Sequence, residues 1–266
     1  MPFADGKHYL YTVRPGDTLY NIAARLGSAV QLIEQTNALY PPFSEPGFIY
    51  VGQLLVVSEA GFDQLSEVDY IVKPGDSLNG ISQRFSTQPE FLAALNAISD
   101  PSYILVNQSI RVPAAIYEVD SGDTLNSIAQ RFGLTLQQLL AANEDRPYLS
   151  PDLVYPGYRL IIPLPSSRNV LVTRPRPGKT ITQGQTLEGY ARSSSGVIYY
   201  QIRDQQNRVI SAEKTIYTLG GSEISPFSTV LRFDYYPETA SGEIWVYTRS
   251  SRDGSIRDLV QVNVGF

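Results

Sequence analysis

The sequence predicts a multidomain chain: three small α+β units in succession, followed by an all-β sandwich. Three observations predict it. One pattern of roughly a dozen positions recurs three times before residue 165, each recurrence mixes strand and helix signals, and after Pro163 and Pro165 the chain turns wholly to short strands. At 266 residues the chain is too long for one small core. The expected layout is unit one over 9–58, a linker over 59–69, unit two over 70–114, unit three over 117–164 and the sandwich over 168–266.

The repeat opens as Tyr11-Thr-Val13-Arg-Pro-Gly16-Asp17-Thr18-Leu19, then Tyr70-Ile-Val72-Lys-Pro-Gly75-Asp76-Ser77-Leu78, then Tyr117-Glu-Val119-Asp-Ser-Gly122-Asp123-Thr124-Leu125. Tyr-x-Val alternates like a strand, Pro-Gly or Ser-Gly turns the chain, and Asp-Thr or Asp-Ser offers oxygens to the free N–H groups of a starting helix. The register holds through Ile22, Ala23, Arg25 and Leu26, through Ile81, Ser82, Arg84 and Phe85, and through Ile128, Ala129, Arg131 and Phe132. Leu19, Ile22, Ala23 and Leu26 share one helical face. A second short helix is clearest in Leu136, Leu139 and Leu140, ending at Asn143, with Asn37 and Asn96 at the same offset. Loops with Pro and Tyr then lead to closing strands within 49–57, 104–112 and 154–162.

Strand, helix, helix, strand leaves the two strands only each other, which predicts a two-stranded antiparallel sheet with both helices on one face. The polar, acidic segment from Ser58 to Asp69, with Gly61, predicts that unit one moves freely. Ala114 to Ile116 is too short for that and predicts that units two and three pack as a pair.

Composition excludes several functions. The chain has no cysteine and one histidine, His8, expected to be an ordinary solvated residue at a fraying terminus. Disulfides, thiolate metal sites and thiol nucleophiles are therefore excluded, and no metal or cofactor is implied. The net charge of −5 is uneven: residues 1–165 carry 9 basic and 17 acidic groups, and residues 166–266 carry 12 and 9. An acidic repeat region disfavours nucleic acid and anionic membranes and points to a neutral ligand. No secretory signal is visible, and no run reaches transmembrane length.

The three repeats resemble the LysM family, whose small βααβ modules bind N-acetylglucosamine-containing glycans. The resemblance covers 11–57, 70–113 and 117–163. It implies a shallow groove between the first strand-to-helix loop and the loop before the last strand. The implied sugar-binding residues are Gly16, Asp17, Thr18, Leu19, Ile49 and Tyr50 in copy one, and Gly75, Asp76, Ser77, Leu78, Ile104 and Leu105 in copy two. In copy three they are Gly122, Asp123, Thr124, Leu125, Val154 and Tyr155. An N-acetyl group offers one N–H, one C=O and one methyl, which suits loop backbone groups above an apolar floor. Helix capping alone would also place Asp17 and Thr18 where they stand, and Leu19 fits either core or groove floor. Copy two departs most, with Gly80 inside its first helix, Ser86 and Thr87 in place of the Gly after it, and Asn107 where the others have Gly52 and Gly157.

Beyond residue 165, candidate strands lie at 169–174, 186–192, 197–203, 209–217, 228–235, 243–249 and 257–266, with turns at 204–207 and 253–254. Seven short strands in a hundred residues suggest an immunoglobulin-like sandwich without its disulfide. Pro175-Arg-Pro-Gly178, the run 184–191, the Arg203-Asp204 turn, Pro226-Phe227-Ser and the run 249–255 resemble the immunoglobulin-like domain of bacterial spore-germination proteins. Ser193, Ser194 and Ser195 stand where an aromatic-acidic pair is expected in that family. Trp245 and the tyrosines are expected mainly in the core.

Together the resemblances imply a non-enzymatic, multivalent binder of peptidoglycan or chitin-like glycan, anchoring the sandwich at the cell wall or spore envelope. They suggest spore-envelope proteins as partners of the sandwich and synthesis in the cytoplasm, of a mother cell for instance. A protein-interaction scaffold with little sugar binding is the alternative. A wall hydrolase would need a Cys-His pair, a metal site or a carboxylate pair. Glu188, Glu213, Glu238 and Glu243 read instead as the solvated faces of a sandwich.

Overall fold

The computed structural model describes residues 3–41, 44–45, 47–60, 66–147, 149 and 154–266. Unit one comprises β1 (Lys7–Thr12), α1 (Leu19–Arg25), α2 (Val30–Thr36) and β2 (Leu54–Ser58). Unit two comprises β3 (Glu67–Ile71), α3 (Leu78–Arg84), α4 (Pro89–Leu95) and β4 (Ser109–Arg111). Unit three comprises β5 (Ala114–Glu118), α5 (Leu125–Arg131), α6 (Leu136–Ala142) and β6 (Arg159–Pro163). In each, first and last strands pair antiparallel. The closing strands start later than their apolar runs do, because Gly52, Asn107 and Gly157 first turn the chain at φ of 91°, 72° and 83°.

Within each unit the repeated asparagine ties the second helix to the closing strand. Asn37 Nδ2 donates to Ile33 O at 2.7 Å and Val56 O at 2.8 Å, and Val56 N donates to Asn37 Oδ1 at 2.8 Å. Asn96 does the same with Leu92 and Arg111, and Asn143 with Leu139 and Ile161. The amide replaces the missing neighbour strand, so that these backbone groups are not left orphaned.

Unit one does not move freely. β1 pairs in parallel with β3, from Lys7↔Glu67 to Leu10↔Tyr70, in a sheet of order β2-β1-β3-β4. β3 begins at Glu67, inside the segment expected to be a linker, whereas Gly61 and its neighbours to 65 lie outside the described residues. Leu10 shares a face with Tyr70, and alternation puts the helices of the two units on opposite faces. Tyr11, Val13, Leu55 and Val57 accordingly pack with Leu19, Ile22 and Ile33 of their own unit. Leu10, Leu54 and Val56 pack instead with Tyr70, Ile81 and Phe85 of unit two and with Ile116 and Ile161 of unit three. The run Leu54 to Val57 is thus buried on both faces, which is why it is apolar without alternation.

Unit three keys into both others through 142–146. Leu54 N donates to Asp145 O at 2.8 Å, and Arg84 of unit two donates to Glu144 O and, at 3.5 Å, to Ala142 O. Arg146 is buried and has no carboxylate partner among the described residues. It donates to Asn37 Oδ1 and, at 2.7 Å, to Arg159 O, with its guanidinium 5.1 Å from the centre of the Tyr158 ring.

His8 is likewise not solvated. It is 1% exposed on β1, with Nδ1 2.9 Å from Ser58 Oγ and Nε2 3.0 Å from Ala4 O. Tertiary packing on both faces of β1 overrides its nearness to the terminus.

The sandwich holds β7 (Val170–Arg174), β8 (Thr186–Ala191), β9 (Val197–Asp204), β10 (Val209–Tyr217), β11 (Ser225–Val230), β12 (Ser241–Arg249) and β13 (Ile256–Gly265). Sheets β10-β9-β12-β13 and β11-β8-β7 enclose a core of Val172, Leu187, Ile198, Tyr200, Ile244 and Val262 among others. The fifth strand lies at 225–230, upstream of the expected 228–235. It is an edge strand, where Pro226 is tolerated. Trp245 is not in the core. It alternates with buried Ile244 and Val246, so it faces outward, donating to Glu243 Oε2 at 2.7 Å beneath the Arg203 guanidinium. The sandwich abuts unit three, where Asn263 Nδ2 donates to Arg131 O at 3.0 Å.

Candidate functional site

The expected site residues lie on two loops that the backbone ties together. In unit one, Val13 N donates to Gln53 O and Gly52 N to Val13 O, both at 2.9 Å. This pair sets the turn 50–53 beside the loop that leaves Val13. Gln53 Oε1 also accepts from Tyr50 N at 2.9 Å. Units two and three repeat the pairing through Val72 with Asn107 and Gln108, and through Val119 with Gly157 and Tyr158.

Thr18, Ser77 and Thr124 cap α1, α3 and α5, accepting from the N–H of Asn21, Gly80 and Ser127. Asp17, Asp76 and Asp123 do not cap, which corrects the expectation that both residues share that duty. Asp17 Oδ2 accepts from Tyr11 Oη at 2.6 Å and Arg14 N at 2.8 Å, and Oδ1 accepts from Arg25 Nη2 at 2.9 Å. Arg25 Nη1 closes the knot by donating to Tyr11 Oη at 2.9 Å. Asp123 repeats this with Tyr117 at 2.5 Å, Asp120 N at 3.0 Å and Arg131 at 2.8 Å.

Burial works to raise the Asp17 and Asp123 pKa values, but the tyrosine and backbone donors together with the arginines outweigh it and hold both carboxyls below the usual range. The buried phenols of Tyr11 and Tyr117 are pushed up, by burial first and by the neighbouring carboxylate next. These carboxylates are ionised and fully engaged near neutral pH. Their work is to brace the loop.

Leu19, Leu78 and Leu125 are buried in the module cores. Gly16, Thr18, Gly75, Ser77, Gly122 and Thr124 are exposed, Ile49, Ile104, Val154 and Tyr155 are half-buried, and Tyr50 and Leu105 are 58% and 55% exposed. The sequence reading missed the neighbours that lengthen this apolar rim, namely Phe48, Val51, Tyr103 and Val106. The Phe48 and Tyr50 rings meet edge-on at 4.8 Å. An apolar run stalled before a turn-forming Gly or Asn is the signal that could have found them. The reading also missed the roles of Arg25 and Arg131, although their recurrence at one offset was visible.

Residues 11–58, 70–113 and 117–163 match the LysM domain, just over half of the chain. The chain belongs to the LysM family. After its three LysM modules, residues 169–255 match the immunoglobulin-like domain of bacterial spore germination. Similar curated proteins include the N-acetylmuramoyl-L-alanine amidase sle1 of Staphylococcus epidermidis, 33% identical over 39% of this chain and 33% of that protein. The endolysin of Bacillus phage B103 is 32% identical over 38% of this chain and 37% of its own length. The chain thus spans about a third of these relatives. Among solved structures, the Bacillus cereus spore cortex-lytic enzyme SleL is 36% identical, with a TM-score of 0.29 and coverage of 40% of this chain and 22% of the enzyme. No helix among the described residues is long and apolar enough to cross a membrane.

Proposed function

We propose that the LysM modules hold N-acetylglucosamine-containing glycan, with peptidoglycan as the ligand and chitin oligomers as analogues, and that the chain does so without cleaving it. The observation that carries this reading is the pairing of the exposed loop residues Gly16, Thr18, Gly75 and Ser77 with an exposed apolar rim at Tyr50 and Leu105. Backbone N–H and C=O groups suit the N-acetyl amide, and the rim suits its methyl and the apolar face of the sugar ring. The acidic repeat region disfavours dense polyanions such as nucleic acid, and the N-acetylglucosamine units themselves carry no charge.

The non-catalytic part of the reading rests on the side chains. Both ring nitrogens of the single histidine are engaged, and there is no cysteine. Glu188, Glu213 and Glu238 pair with Arg174, Arg249 and Arg208, and Glu243 accepts from Trp245 and Gln261. The named relatives are an N-acetylmuramoyl-L-alanine amidase and an endolysin, and the immunoglobulin-like domain is of the spore-germination type, which supports association with the wall or spore.

Co-sedimentation with purified peptidoglycan tests the proposal. The chain should pellet, N-acetylglucosamine oligomers should abolish pelleting, and no reducing sugar should appear. Failure to pellet would sink the binding reading, and release of reducing sugar would sink the non-catalytic one.

A further inference from the structure

The sheet order β2-β1-β3-β4 reads alike from both ends, β1 and β3 run parallel, and the helices of modules 1 and 2 lie on opposite faces. These are the marks of an approximate two-fold axis along the strands, between β1 and β3. Rotation about such an axis preserves strand direction. Both groove loops, 16–19 after β1 and 75–78 after β3, therefore leave the sheet at the same end.

The two grooves are also fastened to each other at that end. Arg14, in the first groove loop, donates through Nη2 to Val72 O at 3.1 Å and through Nη1 to Asn107 Oδ1. Val72 O also takes Asn107 N at 2.9 Å, so one carbonyl holds the turn of groove two and the arginine of groove one. Asn107, which in the sequence looks like a departure from Gly52 and Gly157, keeps the left-handed turn and adds the acceptor that Arg14 needs. Asparagine is among the few side chains that accept this conformation readily.

One described rim position sets the same two modules apart. Tyr50 of module 1 and Leu105 of module 2 are more than half exposed, whereas Tyr155, their counterpart in module 3, is half-buried. A glycan repeats its N-acetyl group at regular intervals, and two grooves held rigidly at one sheet end can engage one chain without the loss of linker entropy that flexible modules would suffer.

We infer that modules 1 and 2 form one composite site, which holds a single N-acetylglucosamine-containing oligosaccharide across both grooves. Module 3 lies outside it. This rests on the glycan-binding reading above. Titration calorimetry of the full chain with N-acetylglucosamine oligomers of increasing length tests it, comparing wild type, Tyr50→Ala, Leu105→Ala and the double variant. Both residues are more than half exposed, so melting curves should match wild type and certify folding.

The expected result is an affinity step of roughly 10²-fold once the oligomer spans both grooves. Either single variant should lose the length step, with short oligomers still held by the intact groove, and the double variant should lose that residual binding as well. Binding of oligomers without a length step, or a length step that survives either single variant, overturns the composite site and leaves glycan binding standing. Absence of binding to every oligomer and to peptidoglycan overturns both.

Discussion

Module 2 and its neighbours use the same repeat differently. In modules 1 and 3, Arg25 and Arg131 turn inward and close a knot with the tyrosine and aspartate of their own module. Module 2 keeps the pair, Tyr70 Oη donating to Asp76 at 2.9 Å, but Arg84 leaves it for Ala142, Glu144 and Asp145 of module 3. Its core is shared as well, admitting Leu10, Leu54 and Val56 from module 1 and Ile116 and Ile161 from module 3. A residue that recurs at one offset can thus serve local bracing or assembly. The choice depends on what lies within its reach.

The largest test of that contrast is Leu10→Ala. In independent modules this residue would face solvent and its loss would cost almost nothing. In the shared core we expect a loss of about 4 kcal/mol in urea unfolding, in the range of buried leucine truncations. A cost near zero would separate the modules again.

His8 reports the seam between modules 1 and 3, since Ser58 joins it to Arg159 at 3.2 Å. Burial first, and then the positive charges of Arg159 and Arg176, lower its pKa from 6.5 to about 4, against the raising effect of Ala4 O. The unfolded chain therefore binds a proton that the folded one refuses between these values. Stability should be level above about pH 6.5, decline by about 3 kcal/mol as pH falls to about 4, and level off below. His8→Gln should flatten this window, and an unchanged slope would place its origin elsewhere.

The knots provide a third comparison. Asp123→Ala strands a buried phenol and an arginine and should cost about 2 kcal/mol, whereas Asp76→Ala, with no arginine to strand, should cost about 1. Equal costs would show that the arginine adds nothing. Because Asp17 and Asp123 have depressed pKa values when folded, their contribution is complete above the ordinary carboxylate pKa and is lost as pH falls through the folded values, below the histidine window.

Arg84→Gln should cost no more than Asp76→Ala, about 1 kcal/mol. It should appear as faster amide exchange at 142–146 of module 3, and not in α3. Faster exchange in α3 alone would return Arg84 to local duty.

Much of the architecture was legible in the sequence because it is periodic. The Tyr-x-Val strands, the Thr and Ser caps, the helical faces and seven short strands all rest on neighbours a few residues away. The exposure of Tyr50 and Leu105 was foreshadowed by apolar residues just before a turn. The contacts of Arg14, Arg84 and Arg146 span 58 to 109 residues and leave no local trace. The Asp-Thr pair was half legible, since its threonine caps as the pattern requires while its aspartate follows a tyrosine brought near by the turn.

By itself, the sequence determined three LysM modules, the elements inside them and a seven-stranded partner, because each of these follows from spacing within one element or one turn. Only the tertiary structure decided that β1 pairs with β3, that His8 is buried and that Trp245 faces outward. An unpaired strand edge accepts any neighbour that geometry supplies, and a side chain's burial depends on what packs over it from elsewhere in the chain.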